Sequence, residues 1–257
     1  MIDLPEELQA IITASLWHGI VVFLRVSALI SVLPVFGERT VPMRIKIALA
    51  LAFTLIVAPA IVPIAPPADS LAISGYVLTE VVVGLAFGLG IRLFVLALQT
   101  AGSIAAQSTS LAQILGGASV EPIPAMGYVL VVGGLALAVM SGLHVHAARL
   151  LIQSYNLFPA GVFPDGQSLS LWGVGRISYA FSLAFMLAAP FVIASVIYNL
   201  ALGVINRAMP QLMVAFVGAP VITMGGIFLL FVAAPVMLTA WTDALLGFFA
   251  DPLGAPK

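Results

Sequence analysis

Long stretches with very few charged side chains restrict the fold of this chain more than any other feature. Six of them occur, at 11–35, 43–64, 71–100, 125–153, 171–198 and 212–247. A helix needs roughly 20 apolar residues to cross the hydrocarbon core of a bilayer, and each stretch is long enough. Only 7% of all residues are charged, whereas about a quarter are charged in a soluble domain. The sequence therefore predicts an all-α polytopic membrane protein with about six hydropathy segments.

Glycines and prolines predict how these segments are divided. Gly225, Gly226 and Pro235 lie inside 212–247, so this segment could be a bent pair of helices. Gly84 and Gly88 form a G-x-x-x-G pattern, which favours close packing of helices in membranes. No internal repeat or soluble domain is visible in the sequence, and we expect a single domain over 1–257.

Several function classes are disfavoured by residues that the sequence lacks. The net charge of −1 gives no indication of nucleic-acid binding, and the absence of cysteine excludes disulfides, thiolate metal sites and cysteine nucleophiles. The sequence contains no G-x-x-x-x-G-K-[ST] loop, no G-x-S-x-G elbow and no H-E-x-x-H metal motif. His144 and His146 would lie on nearly opposite faces of a helix. We expect no cofactor, no metal site and no enzymatic activity, so an intramembrane enzyme is the weakest alternative.

Basic residues predict the orientation, because cytoplasmic loops are enriched in lysine and arginine. Three basic residues lie in the break after the first segment, at Arg39, Arg44 and Lys46. Arg207 lies in the break after the fifth segment. Placing both breaks in the cytoplasm puts the acidic N-terminus outside. Arg149 and Arg176 then flank an outside break, against the rule.

Three charged residues lie inside apolar segments, at Arg25, Glu80 and Arg92. A charge at the centre of a span costs about 2.5–3.5 kcal/mol on insertion scales, so each of them needs a partner or water. Glu80 and Arg92 are roughly 18 Å apart along one helix and cannot pair with each other. Two interpretations stay open. The charges form structural ion pairs or reach the interface, or they line a water-filled passage or a contact with another subunit.

The stretch 101–122 is the least membrane-like part of the middle of the chain. Its polar and glycine residues are Gln107, Ser108, Thr109, Ser110, Gln113, Gly116, Gly117 and Glu121. A lipid-facing loop would leave its backbone amides unsatisfied in hydrocarbon, so this stretch is helical, exposed to water or packed inside protein. It is either an ordinary loop or a glycine-hinged element that lines or closes a passage.

A second polar stretch, 199–220, separates the last two apolar segments. Its notable residues are Asn199, Gly203, Arg207, Pro210 and Gln211. Pro210 lacks an N–H group and disfavours helix at the residue before it. Polar groups at such a break can bind an ion, a substrate or the helix end of a partner. In a stand-alone carrier they would form a candidate site for a small solute.

The pattern N-L-A-L-G-x-x-x-R-x-x-P-Q at 199–211, followed by G-x-P at 218–220, resembles the FliR family of flagellar export-gate proteins. Further similarity runs along nearly the whole chain, including "RVSALISVLPVFGERTVPMR", "AGSIAAQ" and "SYNLFPAG", and the E-x-x-x-G pattern from Glu80 to Gly84. The chain departs from the family at Met213, where an asparagine is frequent, and at Glu121, which replaces the usual aspartate.

The resemblance implies a structural pore subunit of the flagellar type III export gate, in the bacterial inner membrane at the flagellar basal body. Such a subunit passes unfolded proteins across the membrane. Its partners would be FliP-type and FliQ-type subunits in a helical-ring pore assembly built of helical hairpins, with FlhB-type and FlhA-type components associated. The six apolar segments then need not be six crossings.

The resemblance also implies roles for single residues. The stretch 106–122 corresponds to a plug in the closed pore, with Gly116 and Gly117 as its hinges. Neighbouring subunits would supply partners for Glu80, Arg92 and Arg207. Two alternatives stay open, namely the equivalent subunit of a virulence injectisome and a stand-alone secondary transporter of a small solute.

Overall fold

The computed structural model describes residues 5–67, 69–109, 125–209 and 214–254, and over these ranges the chain is all helical. The helices are α1 (Glu6–Val32), α2 (Met43–Val57), α3 (Ser70–Thr109), α4 (Ala125–Met140), α5 (Leu143–Leu157), α6 (Gly166–Ala208) and α7 (Val214–Ala250). A short 3₁₀ turn at Ala58–Ala60 follows α2. The predicted all-α class is confirmed.

The starts of the helices follow from local chemistry. Pro5 and Pro42 directly precede α1 and α2, where the missing N–H of proline costs nothing and its fixed φ leads into the helix. Before α6, the Asp165 Oδ2 atom accepts the Ser168 backbone N–H at 2.8 Å, which satisfies one unpaired donor of the first turn. Gly142 has a φ of +80°, in the left-handed region, and there α4 ends and α5 begins.

The described helices include five that are long and apolar enough to cross a membrane, or up to six if the broken pair α4 and α5 counts as one span. The prediction that 212–247 could be a bent pair of helices is wrong. Helix α7 runs unbroken from Val214 through Gly225, Gly226 and Pro235, and the break lies between α4 and α5 instead. The polar residues 101–109 and 199–208 are helical too, as the last turns of α3 and α6.

The chain divides into two compact units, which the single-domain prediction for 1–257 did not anticipate. Unit 1 comprises Met1–Leu93, Val139–Arg176 and Gly247–Lys257, and unit 2 comprises Phe94–Ala138 and Ile177–Leu246. Whether the two units act as a single domain stays open as a prediction.

In unit 1, α1 packs closely on α3 at Gly84 and Gly88. A Cβ atom at Gly84 would lie 2.8 Å from the Ala28 Cβ and closer still to the Arg25 carbonyl oxygen, so only glycine fits there. At Gly88 the Leu29 carbonyl oxygen would be 3.0 Å from such a Cβ. The G-x-x-x-G pattern therefore works as predicted, by bringing two helix backbones together. Nearby, His18 contacts the Ala58 carbonyl oxygen at 2.9 Å and ties α1 to the end of α2.

In unit 2, the central contact is made by Trp241, which is 1% exposed. Its Nε1–H donates to the Phe94 carbonyl oxygen at 2.7 Å. Gly102 and Gly127 meet backbone to backbone, which brings α3 and α4 together with no side chain between them. Both contacts use buried polar or small residues to position long helices.

Many large apolar side chains remain exposed on α6 and α7. Phe181, Phe185, Phe228 and Phe231 are each at least 60% exposed. A soluble protein rarely exposes apolar surface on this scale, so lipid or other protein chains must cover it.

Candidate functional site

The most buried polar group of unit 1 is an ion pair between α1 and α3. The guanidinium of Arg25 donates from Nε to Glu80 Oε2 at 2.8 Å and from a terminal nitrogen to Oε1 at 3.0 Å. Both side chains are 0% exposed. Two parallel bonds of this kind fix the two side chains in one plane and one register.

Helix α5 and the turn after it complete the surroundings of Arg25. The guanidinium donates to the Ser154 hydroxyl at 3.0 Å and to the Phe158 carbonyl oxygen at 2.9 Å. The Tyr155 ring lies 3.7 Å from the guanidinium carbon, in a cation–π contact. We refer to Arg25, Glu80, Ser154, Tyr155 and Phe158 as the buried polar centre.

Glu80 has two further donors. Tyr155 donates its hydroxyl to Oε2 at 3.1 Å, and the Gly161 backbone N–H donates to Oε1 at 3.4 Å. Gly161 has a φ of +77°, and a Cβ there would lie 2.7 Å from the Tyr76 ring. This position therefore needs glycine for both its backbone angle and its space. The centre joins α1, α3, α5 and the turn that follows α5.

The geometry is that of a structural tie rather than a reactive site. A buried ion pair stabilises only when hydrogen bonds satisfy its remaining donors and acceptors, as they do here. No group of three or more His, Asp or Glu residues that could hold a metal ion occurs in the described ranges. His144 is exposed, and the His146 ring stacks on Phe249 at 5.3 Å, so the two histidines have separate surroundings.

The structure supplies partners from the same chain for the charges inside the apolar segments. Glu80 pairs with Arg25, and Arg92 lies 3.2 Å from Glu38, with both side chains of this second pair 30% exposed. The ion-pair interpretation thus describes all three intramembrane charges, and no passage is needed to explain them. Further contacts of these residues with other subunits remain a prediction.

The residues before the α6–α7 break are exposed. The Asn199 amide donates to the Ser195 carbonyl oxygen at 2.9 Å and to its hydroxyl at 3.1 Å, so its hydrogen bonds stay within α6. Gly203 lies inside the unbroken helix, and Arg207 is exposed near its end. Pro210 and Gln211 lie outside the described residues.

The expected plug stretch is described only at its first residues, 107–109. Gln107 is exposed, Ser108 donates to the Ile104 carbonyl oxygen at 2.7 Å, and Thr109 is buried in the last turn of α3. The Thr109 hydroxyl lies 4.0 Å from the Met126 sulfur, at the start of α4. The chain therefore leaves α3 and enters α4 at neighbouring points. Outside the described residues lie Ser110, Gln113, Gly116, Gly117 and Glu121.

The described residues of unit 1 line at least two cavities. One, of about 400 Å³, is lined by aromatic residues including Phe87, Phe158 and Trp172. The other, of about 370 Å³, is lined by Tyr76, Tyr155 and Asn156, with the segment 60–65. Neither is lined by a residue of the 199–209 stretch, which is where a solute carrier was expected to bind its substrate.

Sequence reasoning singled out Arg25 and Glu80 but missed Ser154, Tyr155 and Gly161 as their partners. The stretch "SYNLFPAG" contains all three and resembles the family, but it includes no charged residue. A serine and a tyrosine followed by a glycine at a turn give no local signal of an ion pair elsewhere in the chain. Only the approach of α5 to α1 and α3 reveals their role.

The long apolar helices and the buried polar centre define a polytopic helical membrane protein, and its relatives agree. The pattern of the family "Bacterial export proteins, family 1" matches residues 16–247. The chain belongs to this family, of which FliR is the flagellar member. It is 33% identical to the flagellar biosynthetic protein FliR of Caulobacter vibrioides over 86% of this chain and 90% of the relative.

Two further relatives carry the same name. The flagellar biosynthetic protein FliR of Escherichia coli is 30% identical, with 83% of each chain covered. That of Bacillus subtilis is 29% identical, with 78% of this chain and 80% of the relative covered. The resemblance seen in the sequence is thereby confirmed, and the family is one of export components without enzymatic activity.

Proposed function

We infer that this chain is a structural subunit of a flagellar type III export gate in the inner membrane, at the flagellar basal body, and passes unfolded flagellar proteins. The observation that carries this proposal is the family match over 16–247, together with relatives named flagellar biosynthetic protein FliR. The buried polar centre fits the role, because it holds α1, α3 and α5 in fixed positions without offering a reactive group.

The proposed partners are FliP-type and FliQ-type membrane subunits, with FlhB-type and FlhA-type components associated. Support comes from the apolar surface of α6 and α7, where large side chains such as Phe228 and Phe231 are 69% and 79% exposed. Partner helices would cover such a surface, and exposed Arg207 at the end of α6 would meet polar groups of a neighbour or pore water.

The proposed plug is the stretch from Gln107 to Glu121. Thr109 packs against Gly226 of α7, and the chain returns at Met126, beside the point where it left. A segment anchored at both ends in this way can fill a pore and be displaced without unfolding the helices that carry it.

The two alternatives gain no support from the described residues. A carrier would need polar groups that converge at a helix break, whereas Asn199 bonds within its own helix. An injectisome subunit would share the fold, but the relatives are named for flagellar biosynthesis.

Affinity purification of the tagged full chain in mild detergent, followed by mass spectrometry, tests the proposal. We expect several small membrane proteins of the FliP and FliQ types to co-purify. In parallel, a deletion strain should be non-motile and retain flagellar substrates in the cytoplasm, and the intact gene should restore both. A solitary chain that transports a solute in liposomes, or normal flagella in the deletion strain, would refute the export function.

A further inference from the structure

The turn between α1 and α2 concentrates positive charge at one end of unit 1. We define the basic turn as residues 37–46, which include Arg39, Arg44 and Lys46. Arg39 and Arg44 are exposed, and neither has an ion pair among the residues that the structure describes. Their charges are therefore available to a ligand.

The basic turn is held in shape by its own neighbours. Lys46 donates its ammonium to the Gly37 carbonyl oxygen at 2.8 Å, and the Val41 N–H donates to the Glu38 carbonyl oxygen at 3.1 Å. Glu38 is engaged by Arg92. The one acidic side chain of the turn is thus neutralised by a residue outside it, while Arg39 and Arg44 keep their charge free.

Exposed apolar side chains alternate with these cations. Met43, Ile45 and Ile47 are 71%, 50% and 48% exposed, and they share the first turns of α2 with Arg44 and Lys46. Exposure of these apolar side chains to water is unfavourable. An interface that offers anionic groups beside hydrocarbon suits both kinds of side chain, because long cationic side chains reach the headgroups while apolar ones stay among the acyl chains.

Outside the basic turn, most of the exposed charged side chains of unit 1 are acidic. The exposed charged residues at the start of α1, before α3, before α6 and after α7 are Glu6, Glu7, Asp69, Asp165 and Asp251. Arg176 is 5% exposed and donates to the Pro252 carbonyl oxygen at 2.9 Å, so it adds no exposed cation. Of the three exposed arginines among the described residues of unit 1, Arg39 and Arg44 lie in the basic turn, and the third is Arg149 of α5.

We propose that the basic turn binds the phosphate of an anionic phospholipid through Arg39 and Arg44, with Met43, Ile45 and Ile47 among its acyl chains. Charge complementarity selects an anion, and the neighbouring apolar side chains select a lipid over free phosphate. The basic turn thereby anchors unit 1 to the anionic leaflet of the membrane. The proposal is independent of the export function, since it depends only on the surface of this chain.

Native mass spectrometry of the full chain in detergent, titrated with phosphatidylglycerol or with phosphatidylcholine, tests the proposal. We expect the wild-type chain to bind phosphatidylglycerol more tightly. Each of R39Q and R44Q should weaken that binding roughly fivefold, as expected for the loss of one cation near an anionic lipid surface, and R44K should retain it. The matched control is R149Q, which removes an exposed arginine of α5 outside the basic turn and should leave the preference unchanged.

Four results would overturn the assignment. Equal binding of the two lipids to the wild-type chain would remove its basis. A preference that survives R39Q/R44Q, or that R149Q lowers equally, would show that the basic turn is not the site. Displacement of phosphatidylglycerol by millimolar inorganic phosphate would show that the turn recognises phosphate alone. Circular dichroism of each variant checks that the fold is intact, which is expected because Arg39 and Arg44 are exposed.

Discussion

Replacement of Glu80 by glutamine removes the negative charge of the buried polar centre while keeping the size and shape of the side chain. Each oxygen of Glu80 accepts a bond from the Arg25 guanidinium, Oε2 at 2.8 Å and Oε1 at 3.0 Å. Whichever position the new amide nitrogen takes, one of its N–H groups meets an Arg25 N–H. Arg25 would then be a charge with 0% exposure and no counter-ion.

The expected cost follows from this burial. Removing one partner of a buried ion pair destabilises a protein by about 3–5 kcal/mol, because the remaining charge stays uncompensated. The matched control is E38Q, which breaks the pair with Arg92 at 3.2 Å, where both side chains are 30% exposed. A partly exposed pair of this kind is screened by water and contributes at most about 1 kcal/mol.

Thermal unfolding of the detergent-solubilised full chain, followed by circular dichroism, measures the difference between the two variants. The E80Q midpoint should fall well below both the wild-type and the E38Q midpoints. The double variant R25M/E80M should be more stable than E80Q, because apolar residues of similar volume often replace a buried pair at little cost. If E80Q loses no more stability than E38Q, or if the double variant is the least stable, the account of the buried polar centre is wrong.

Four further predictions concern other parts of the chain. G161A should destabilise the protein by about 1–3 kcal/mol, because alanine is strained at a φ of +77°. The control in the same unfolding assay is G175A in α6, which should not destabilise the protein because a Cβ there meets nothing within 4 Å. R207A should lower the yield of the assembled complex on native electrophoresis while leaving the helix content by circular dichroism unchanged. Deletion of 110–117, which spares Thr109 and its contact with Gly226, should raise the ion conductance of the resting gate in planar bilayers. Hydrogen bonds from Ser168 lower the pKa of Asp165 in the folded protein. The ionised Asp165 therefore stabilises the fold at a pH above its pKa in the unfolded chain, and this stabilisation is lost as the pH falls through its folded pKa. D165N should flatten this part of the pH–stability curve.

Each of these has a result that contradicts it. Equal stability of G161A and wild type would mean that the turn after α5 can relax. An intact complex with R207A would remove Arg207 from the proposed subunit contacts, and unchanged conductance after the deletion would argue against a plug. A pH–stability curve that D165N leaves unaltered would show that the α6 cap contributes nothing measurable.

The membrane class, the helices and the family could all be predicted from the sequence. These features are local properties of the sequence. An apolar segment is long enough for a bilayer, and the N-L-A-L-G pattern is present, whatever the arrangement of the helices. Helix boundaries could not be predicted in the same way. The polar stretches 101–122 and 199–220 separate apolar segments, yet residues 101–109 and 199–208 continue α3 and α6. A helix satisfies its own backbone hydrogen bonds, so side-chain polarity alone does not end it.

The tertiary structure alone decided which charges pair. Arg25 bonds to Glu80 and to Ser154, which are 55 and 129 positions away along the chain. No spacing rule reaches that far, because the pairing depends on the close approach of α1 and α3 that Gly84 permits. It was likewise the structure that placed the helix break at Gly142 rather than at Gly225 and Gly226. A glycine allows a bend, but the packing around it determines whether the bend occurs.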